Sequence, residues 1–132
     1  MGYRSQVAFK TTSEGYIILK RFNDKIKEKK ERPLYCAEIK KTEDGFYKIA
    51  FDSIKWYESY TDIMNFIKVM DILDEQDIPY KFIRLGEDIS DIEVRENYTD
   101  DMPEELLEFN PGVDIYDMSD GSYEIIDNPD EE

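Results

Sequence analysis

The pattern of apolar and polar residues predicts four strands in the first two thirds of the chain. Residues 6–12 and 80–85 are short runs rich in β-branched and aromatic residues, without a helix breaker inside them. Residues 34–41 and 46–51 flank an Asp-Gly dipeptide, which is a strong signal for a β-hairpin turn. In the run 46–51, every second residue is large and apolar, so we expect one face of that strand to be buried.

A first helix is predicted between the first two strands. Ile18, Phe22 and Ile26 recur at intervals of four residues, which is typical of a helix with one buried stripe. We expect Ser13 to cap its start. Because proline cannot continue a helix, we expect the helix to end at Pro33. Lysine and arginine occupy much of its other face.

A second helix is predicted between the hairpin and the strand 80–85. Ser59 and Asp62 resemble a capping box, and helical spacing of apolar residues continues from Ile63 to Leu73. Acids crowd the end of this helix, where the helix dipole disfavours negative charge. We therefore expect its last turn to fray or to meet a cation.

The predicted order β-α-β-β-α-β indicates an α+β fold. The simplest arrangement is a ferredoxin-like split βαβ sandwich, in which two helices cover an antiparallel four-stranded sheet. Another α+β arrangement with a different strand order is the alternative. We assign residues 1–96 to this core, residues 97–127 to a folded acidic extension with a short helix and a hairpin, and residues 128–132 to a disordered tail.

The negative charge of the chain is concentrated in its last third. Residues 1–85 carry 16 basic and 14 acidic side chains, whereas residues 86–132 carry one basic side chain, Arg95, and 18 acidic ones. Such segregation predicts a surface of strongly negative potential, which attracts basic partners and repels nucleic acid and anionic membranes.

The composition excludes several kinds of catalysis. A chain with no histidine and one cysteine can form neither a Ser-His-Asp triad, nor a histidine-containing zinc site, nor a cysteine-rich metal or iron–sulfur site. Its glycines form no phosphate-binding loop. Glu38-Ile39-Lys40 matches the short acid-x-lysine pattern of metal-dependent nucleases, but such triplets arise by chance in a chain this charged. We expect no catalytic residue, no cofactor and no metal site.

The sequence also bears on location. It contains no apolar run long enough to span a bilayer, and its first residues lack the apolar stretch of a signal peptide. Its single cysteine, Cys36, has no partner for an internal disulfide. We expect a cytoplasmic protein.

The acids beyond residue 85 are the predicted partner-binding residues. DNA presents one negative charge per about 1.7 Å of its axis, and a folded surface with similar carboxylate spacing can occupy a basic cleft. A solvated face that only keeps the protein in solution is the alternative. The residues assigned to this surface are Glu87, Asp88, Asp91, Glu93, Glu96, Asp100, Asp101, Glu104, Glu105, Glu108, Asp114, Asp117 and Asp120.

Three aromatic residues are a second candidate surface. Trp56, Tyr57 and Tyr60 follow the hairpin and lie among charged residues, as aromatic anchors of interfaces do. Alternatively, they close the edge of the core.

Three segments resemble a group of small phage and prophage proteins. These proteins begin Gly-Tyr-Arg-Ser-x-Val and later carry an (Ile/Leu)-Gly-Glu-Asp segment; the matching residues are Gly2-Tyr3-Arg4-Ser5-Gln6-Val7, Trp56-Tyr57 and Arg84-Leu85-Gly86-Glu87-Asp88. The resemblance covers residues 1–95 and implies a phage accessory protein expressed in a bacterial host cell.

The shared segments suggest a further candidate site at two strand ends. Its residues would be Tyr3, Arg4, Ser5, Arg84, Gly86 and Glu87. We favour the alternative that Arg4 pairs with Glu87 and ties the first strand to the last.

Together, these features predict a phage-encoded, non-enzymatic acidic inhibitor of a bacterial defence system of the CRISPR or restriction type. It would act by mimicking nucleic acid. Its partner would be a basic nucleic-acid-binding host protein, and it would bind neither nucleic acid nor membranes directly. One alternative is a protein that sequesters a nucleotide signal with the basic residues of 20–32 or with residues 3–5. Another is a self-associating structural or regulatory protein.

Overall fold

Two α-helices and a six-stranded antiparallel sheet form an α+β architecture in the part of the chain that the structure describes. The structure is a computed structural model and describes residues 4–35, 37–42, 45–88, 90–97 and 123–126. In chain order the elements are β1 (Ser5–Thr11), α1 (Ser13–Asp24), a 3₁₀ turn (Lys29–Glu31), β2 (Glu38–Thr42), β3 (Tyr47–Ile54), α2 (Thr61–Glu75), β4 (Tyr80–Leu85), β5 (Ile92–Asn97) and β6 (Tyr123–Ile126). Neither described helix is long and apolar enough to cross a membrane.

The strands lie in the order β5-β4-β1-β3-β2-β6, and each neighbouring pair is antiparallel. Ala8 of β1 lies opposite Ala50 of β3 on one side and Ile83 of β4 on the other. β6 pairs with β2, and Ile39 lies opposite Ile126. Residues 123–126, which we assigned to an extension, thus complete one edge of the core sheet.

The core lies between one face of the sheet and both helices. Phe66 of α2 is fully buried, and its ring lies 5.2 to 6.1 Å from the rings of Phe9, Phe51 and Trp56, in edge-on arrangements. Burying one such side chain contributes roughly 1.5–3 kcal/mol, so this aromatic cluster is a principal source of stability. As predicted, Tyr47, Ile49 and Phe51 share the core face, and Lys48 and Ala50 occupy the opposite face of β3.

The second helix follows the predicted apolar pattern. Ile63, Phe66, Met70 and Leu73 are buried. Its predicted capping box is wrong, since the N-cap residue is Tyr60 and no side chain caps the helix. Burial raises the pKa of Asp62 and more than offsets its backbone hydrogen bonds.

The start and the buried stripe of the first helix differ from the prediction. The cap is Thr12 rather than Ser13, and the Thr12 hydroxyl accepts a hydrogen bond from the Gly15 N–H at 3.2 Å. The buried residues are Gly15, Leu19 and Asn23. The apolar residues at 18 and 22 border the core and are only partly buried.

The first helix also ends at Asp24 rather than at Pro33. The cause is Asn23, a fully buried polar residue whose side-chain oxygen accepts a hydrogen bond from the Leu34 N–H at 2.9 Å. Buried polar groups require partners, so this bond fixes the returning chain against the helix. The basic residues beyond Lys25 therefore lie outside the helix.

The strand boundaries agree with the sequence pattern most closely at β4, which coincides with residues 80–85. β2 begins at Glu38 instead of Leu34, because turns formed by Tyr35 N–H to Arg32 O and by Ala37 N–H to Leu34 O occupy the intervening residues. In the predicted extension, we expected the short helix at residues 102–109 and the two strands of the hairpin at 113–118 and 123–126. The helix and the first of these strands lie outside the described residues, and the second strand is confirmed as β6.

The helix–strand packing predicts that Gly15→Ala destabilises the fold. A Cβ atom at position 15 would overlap the Thr11 hydroxyl, which donates a hydrogen bond to Pro79 O at 2.9 Å. We expect the free energy of unfolding to fall by about 1–3 kcal/mol, although alanine has the higher helix propensity. Denaturant unfolding measures this change, with exposed Ser13→Ala as the control. Equal stability of the Gly15→Ala variant and the native chain would contradict the packing described.

Candidate functional site

Nine of the described acids lie along one edge of the sheet. β5 is the outer strand there, residues 86–91 before it carry three acids, and Arg95 of β5 contacts the last turns of α2. We call this surface the acidic edge; it comprises Asp71, Asp74, Glu75, Asp77, Glu87, Asp88, Asp91, Glu93 and Glu96. All of these residues are exposed except Asp91, which is half-buried.

Arg84 of β4 holds two acids of the acidic edge in fixed positions. Its guanidinium donates two hydrogen bonds to the Asp91 carboxylate, at 2.8 and 3.1 Å, and one to Glu93 at 2.9 Å. A further bond at 3.1 Å reaches the hydroxyl of Ser5 on β1. The bonds to Asp91 and Glu93 outweigh burial and raise the pKa of Arg84, so the side chain stays charged. Arg84 thus joins three strands.

Arg95 fastens β5 to the end of α2. Its Nη2 donates to Asp71 at 2.6 Å and to Asp74 at 2.7 Å, and its Nε donates to the Tyr80 hydroxyl at 2.8 Å. Burial opposes charge on Arg95, but its bonds to Asp74 and Asp71 raise its pKa overall. Burial, together with donation to Asp74, raises the pKa of Tyr80. The predicted cation at the crowded end of the second helix is therefore confirmed.

The bases at the acidic edge are fewer than the acids. Three bases, Lys81, Arg84 and Arg95, contact acids of this edge in ion pairs of the described residues, against nine carboxylates. Exposed ion pairs contribute only about 0.2–1 kcal/mol each, so these contacts orient carboxylates more than they stabilise the fold. The surplus leaves a negative potential along the edge.

Two hydrogen bonds from Ser90 stabilise the charged form of Asp88. Its Oδ1 accepts the Ser90 N–H at 2.9 Å and the Ser90 hydroxyl at 2.8 Å. These two bonds lower the pKa of Asp88, the backbone bond having the larger effect.

Two apolar side chains are exposed on β5, which the sequence analysis missed. Ile92 is 58% exposed and Val94 is 53% exposed. They alternate with Glu93 and Arg95 and point to the face of the sheet opposite α1 and α2, which we call the far face. An apolar pair bordered by charged residues is a common composition for a protein-binding surface. The alternation in residues 92–95 was the signal that could have revealed it.

The three candidate aromatics do not form one patch. Trp56 is 9% exposed and belongs to the core, where its ring lies 5.3 Å from that of Phe82. Tyr57 and Tyr60 pack edge to face at 5.1 Å, and Tyr60 is 43% exposed. Of the three candidates, Tyr57 and Tyr60 are available to a partner and Trp56 is not.

The ends of β1 and β4 meet at a cleft of about 420 Å³, which we call the Arg4 cleft. Residues 4–6, Ser53 and residues 85–87 line it. Exposed Arg4 donates a hydrogen bond to Ser53 O at 3.2 Å, rather than forming the expected pair with Glu87. The structure thus brings together the two strand ends named from the resemblance, while Tyr3 lies outside the described residues.

The remaining predicted site residues fall into two groups. Asp100, Asp101, Glu104, Glu105, Glu108, Asp114, Asp117 and Asp120 lie outside the described residues. Glu38 and Lys40 share one face of β2, Glu38 exposed and Lys40 buried, and the described residues contain no cluster of three or more potential metal ligands.

Comparisons of this chain with protein-family models, with curated proteins and with solved structures find no match.

The contacts of Arg95 predict that Arg95→Met loosens β5. The variant loses both carboxylate contacts and the bond to the Tyr80 hydroxyl, so we expect the free energy of unfolding to fall by about 1–2 kcal/mol. Arg95→Lys keeps the charge but not the guanidinium geometry, and we expect a smaller loss. Denaturant unfolding and amide exchange of residues 92–97 measure the effect. Unchanged exchange in Arg95→Met would contradict the fastening role.

Proposed function

We propose that this protein is a non-enzymatic inhibitor that binds a basic, nucleic-acid-binding surface of a partner protein through its acidic edge. The observation that carries the proposal is the composition of β5, an outer strand with two exposed apolar side chains bordered by surplus carboxylates. Charge complementarity orients a basic partner on this surface, and the two apolar side chains add contact area that excludes water.

Preorganisation of the acids supports this proposal. Arg84 holds Asp91 and Glu93, and Arg95 holds Asp71 and Asp74. Side chains that are already ordered lose less conformational entropy when a partner binds. A surface of this kind competes with nucleic acid better than a flexible acidic tail of equal charge.

The finer fold class and the biological setting belong to the same proposal. The order β4-β1-β3-β2, with antiparallel pairs and two helices on one face, supports a ferredoxin-like split βαβ sandwich to which β5 and β6 add outer strands. The resemblance of the opening residues and of residues 84–88 to phage proteins supports a role against a bacterial defence complex, such as a CRISPR effector or a restriction enzyme, in the cytoplasm of the host.

The proposal predicts that the chain restores phage growth on a defended host. The test expresses it in bacterial strains that each carry one CRISPR or restriction system and counts plaques of a targeted phage. We expect plating to rise by at least about tenfold in one strain. We expect the triple variant Glu75→Gln/Asp77→Asn/Glu87→Gln to bind the effector of that strain at least about tenfold more weakly, which corresponds to about 1.4 kcal/mol. Glu14→Gln/Glu28→Gln/Glu58→Gln, which removes three exposed acids elsewhere, is the matched control.

The purified effector from the responding strain then tests the mechanism. We expect the chain to displace labelled duplex DNA from it, with an affinity that falls between about 50 and 200 mM salt. Displacement of DNA that does not depend on salt would overturn the proposal. An equal loss of affinity in the two triple variants would also overturn it.

A second candidate function, sequestration of a nucleotide, is favoured by the Arg4 cleft. Its volume suits a small ligand, and a guanidinium has five N–H donors, of which one is engaged by Ser53 O. Glu87 on the same cleft offers an acceptor for ribose hydroxyls.

This second candidate predicts stabilisation by a nucleotide. A ligand at about 100 times its Kd stabilises the native state by about 2.7 kcal/mol, which raises Tm by several degrees. We expect such a shift in a thermal screen of linear and cyclic nucleotides. Arg4→Gln should lose it and exposed Lys27→Gln should keep it. No shift with any nucleotide would refute this function and leave the acidic-edge proposal unaffected.

A further inference from the structure

The exposed side of α2 carries an aromatic and apolar group at its beginning and acids at its end. Tyr60 directly precedes the helix and is 43% exposed, and Met64, one turn later, is 42% exposed. Asp71 and Glu75 are exposed in the last two turns. Residues spaced by four or seven positions share one side of a helix, so these four side chains form a continuous strip. We call this strip, together with Tyr57, the α2 ridge.

Two tyrosine rings are held in position at the start of the α2 ridge. The ring centroids of Tyr57 and Tyr60 lie 5.1 Å apart, with an angle of 80° between the ring planes. In such an edge-to-face pair, the edge of one ring meets one face of the other, and the pair leaves the other ring faces uncovered. The Tyr60 N–H donates a hydrogen bond to Tyr57 O at 2.9 Å, which fixes the backbone between the two rings. The pair is therefore an ordered aromatic surface on which a cation can stack.

The charge at the other end of the α2 ridge indicates which partner it fits. Arg95 contacts Asp71 at 2.6 Å, yet 60% of the Asp71 side chain remains exposed. Glu75 is exposed one turn further along the helix. Two copies of the chain that met through this ridge would place like charges together, which opposes association. A basic segment of another protein, in contrast, complements both the carboxylates and the aromatic rings.

Arginine suits both ends of the α2 ridge better than lysine does. Its planar guanidinium stacks on aromatic rings and binds carboxylates through paired hydrogen bonds, whereas the ammonium of lysine is a compact, strongly hydrated charge. A rise of about 1.5 Å per residue places Tyr60 about 16 Å from Asp71 along the helix axis. A partner helix of about eleven residues or a partner strand of about five residues covers that distance.

We propose that the α2 ridge binds an arginine-bearing segment of the basic partner, with one guanidinium stacked on Tyr60 and further basic groups at Asp71 and Glu75. The inference rests on the proposed function, since it describes the partner of the acidic edge. Asp71 and Glu75 belong to both surfaces, so the ridge continues the acidic edge along the helix. The tyrosines add a preference for arginine that carboxylates alone do not provide.

Labelled nona-arginine and nona-lysine peptides test this preference on the unaltered full chain. The two peptides carry equal charge, so a difference in affinity reports the chemistry of the cation. Fluorescence anisotropy at about 50 mM salt measures the binding, and we expect nona-arginine to bind at least about threefold more tightly. Equal affinity for the two peptides would overturn the proposal.

Variants of the two tyrosines locate the stacking. Tyr57→Leu/Tyr60→Leu keeps apolar side chains but removes both rings, and we expect it to bind the two peptides equally. Tyr57→Phe/Tyr60→Phe keeps the rings and should retain the preference for nona-arginine. The control Ile17→Ala changes an apolar residue of α1 that is 48% exposed, and it should also retain the preference. An undiminished preference in the leucine variant would overturn the proposal.

Lys68 reports whether the peptide lies on the α2 ridge. It is exposed midway along the ridge, where its ammonium opposes the approach of a cation. We expect Lys68→Gln to bind nona-arginine at least about twofold more tightly than the native chain. Lys27→Gln changes the net charge equally but lies outside the ridge, and we expect a smaller gain. Equal gains in the two variants would contradict binding along the ridge.

The peptide measurements use no effector, so they separate the α2 ridge from the proposed function. A preference for nona-arginine that depends on the tyrosines, together with failure on defended hosts, would uphold the ridge and refute the inhibitor. Displacement of DNA by a chain that shows no such preference would do the reverse.

Discussion

The two faces of the sheet carry different kinds of side chain, apolar on one and basic on the other, and the rest of the structure depends on keeping them apart. Phe9, Ile49 and Phe82 face the helices, while their neighbours Lys10, Lys48 and Lys81 face the other way. A slip of one residue would exchange these sets, placing ammonium groups in the aromatic core and aromatic rings on the far face. One register alone satisfies both faces. Lys10, Lys48 and Lys81 therefore favour this register of the sheet.

The register of the sheet also determines which charged side chains reach its outer edge. At the acidic edge, Arg84 anchors Asp91 and Glu93, and Arg95 anchors Asp71 and Asp74. These acids lie beside the outer strand β5, where charged side chains also protect an edge from pairing with other strands.

The sequence predicted the elements that local patterns determine. A period of two residues predicted the limits of β4 and the alternation of Tyr47 with Lys48. A period of 3.6 residues predicted the buried residues of α2. The end of α1 did not follow, because Asn23 finds its partner at Leu34 only after the chain has turned back. A lone buried asparagine looks like any other polar residue in a sequence.

The candidate site was predictable only in part, for the same reason. The crowded acids of α2 indicated a cation, but nothing local identified Arg95 as that cation. The alignment of Lys81, Lys10, Lys48 and Lys40 across four strands depends on the registers of three strand pairs at once, which no single segment encodes. Trp56 was ambiguous between surface and core because aromatic residues suit both environments.

The pairing of β6 with β2 also governs the order in which the sheet is assembled during synthesis. Residues 38–42 are made long before residues 123–126, so the edge of β2 remains without this neighbour while the ribosome makes the intervening chain. An unpaired edge is a template for wrong pairing, and contacts distant in sequence form slowly. Lys40 and Lys41 on β2 carry like charges that discourage two nascent copies from joining there. Lys40 and Lys41 thus oppose wrong pairing during synthesis, before β6 pairs with β2 in the complete sheet.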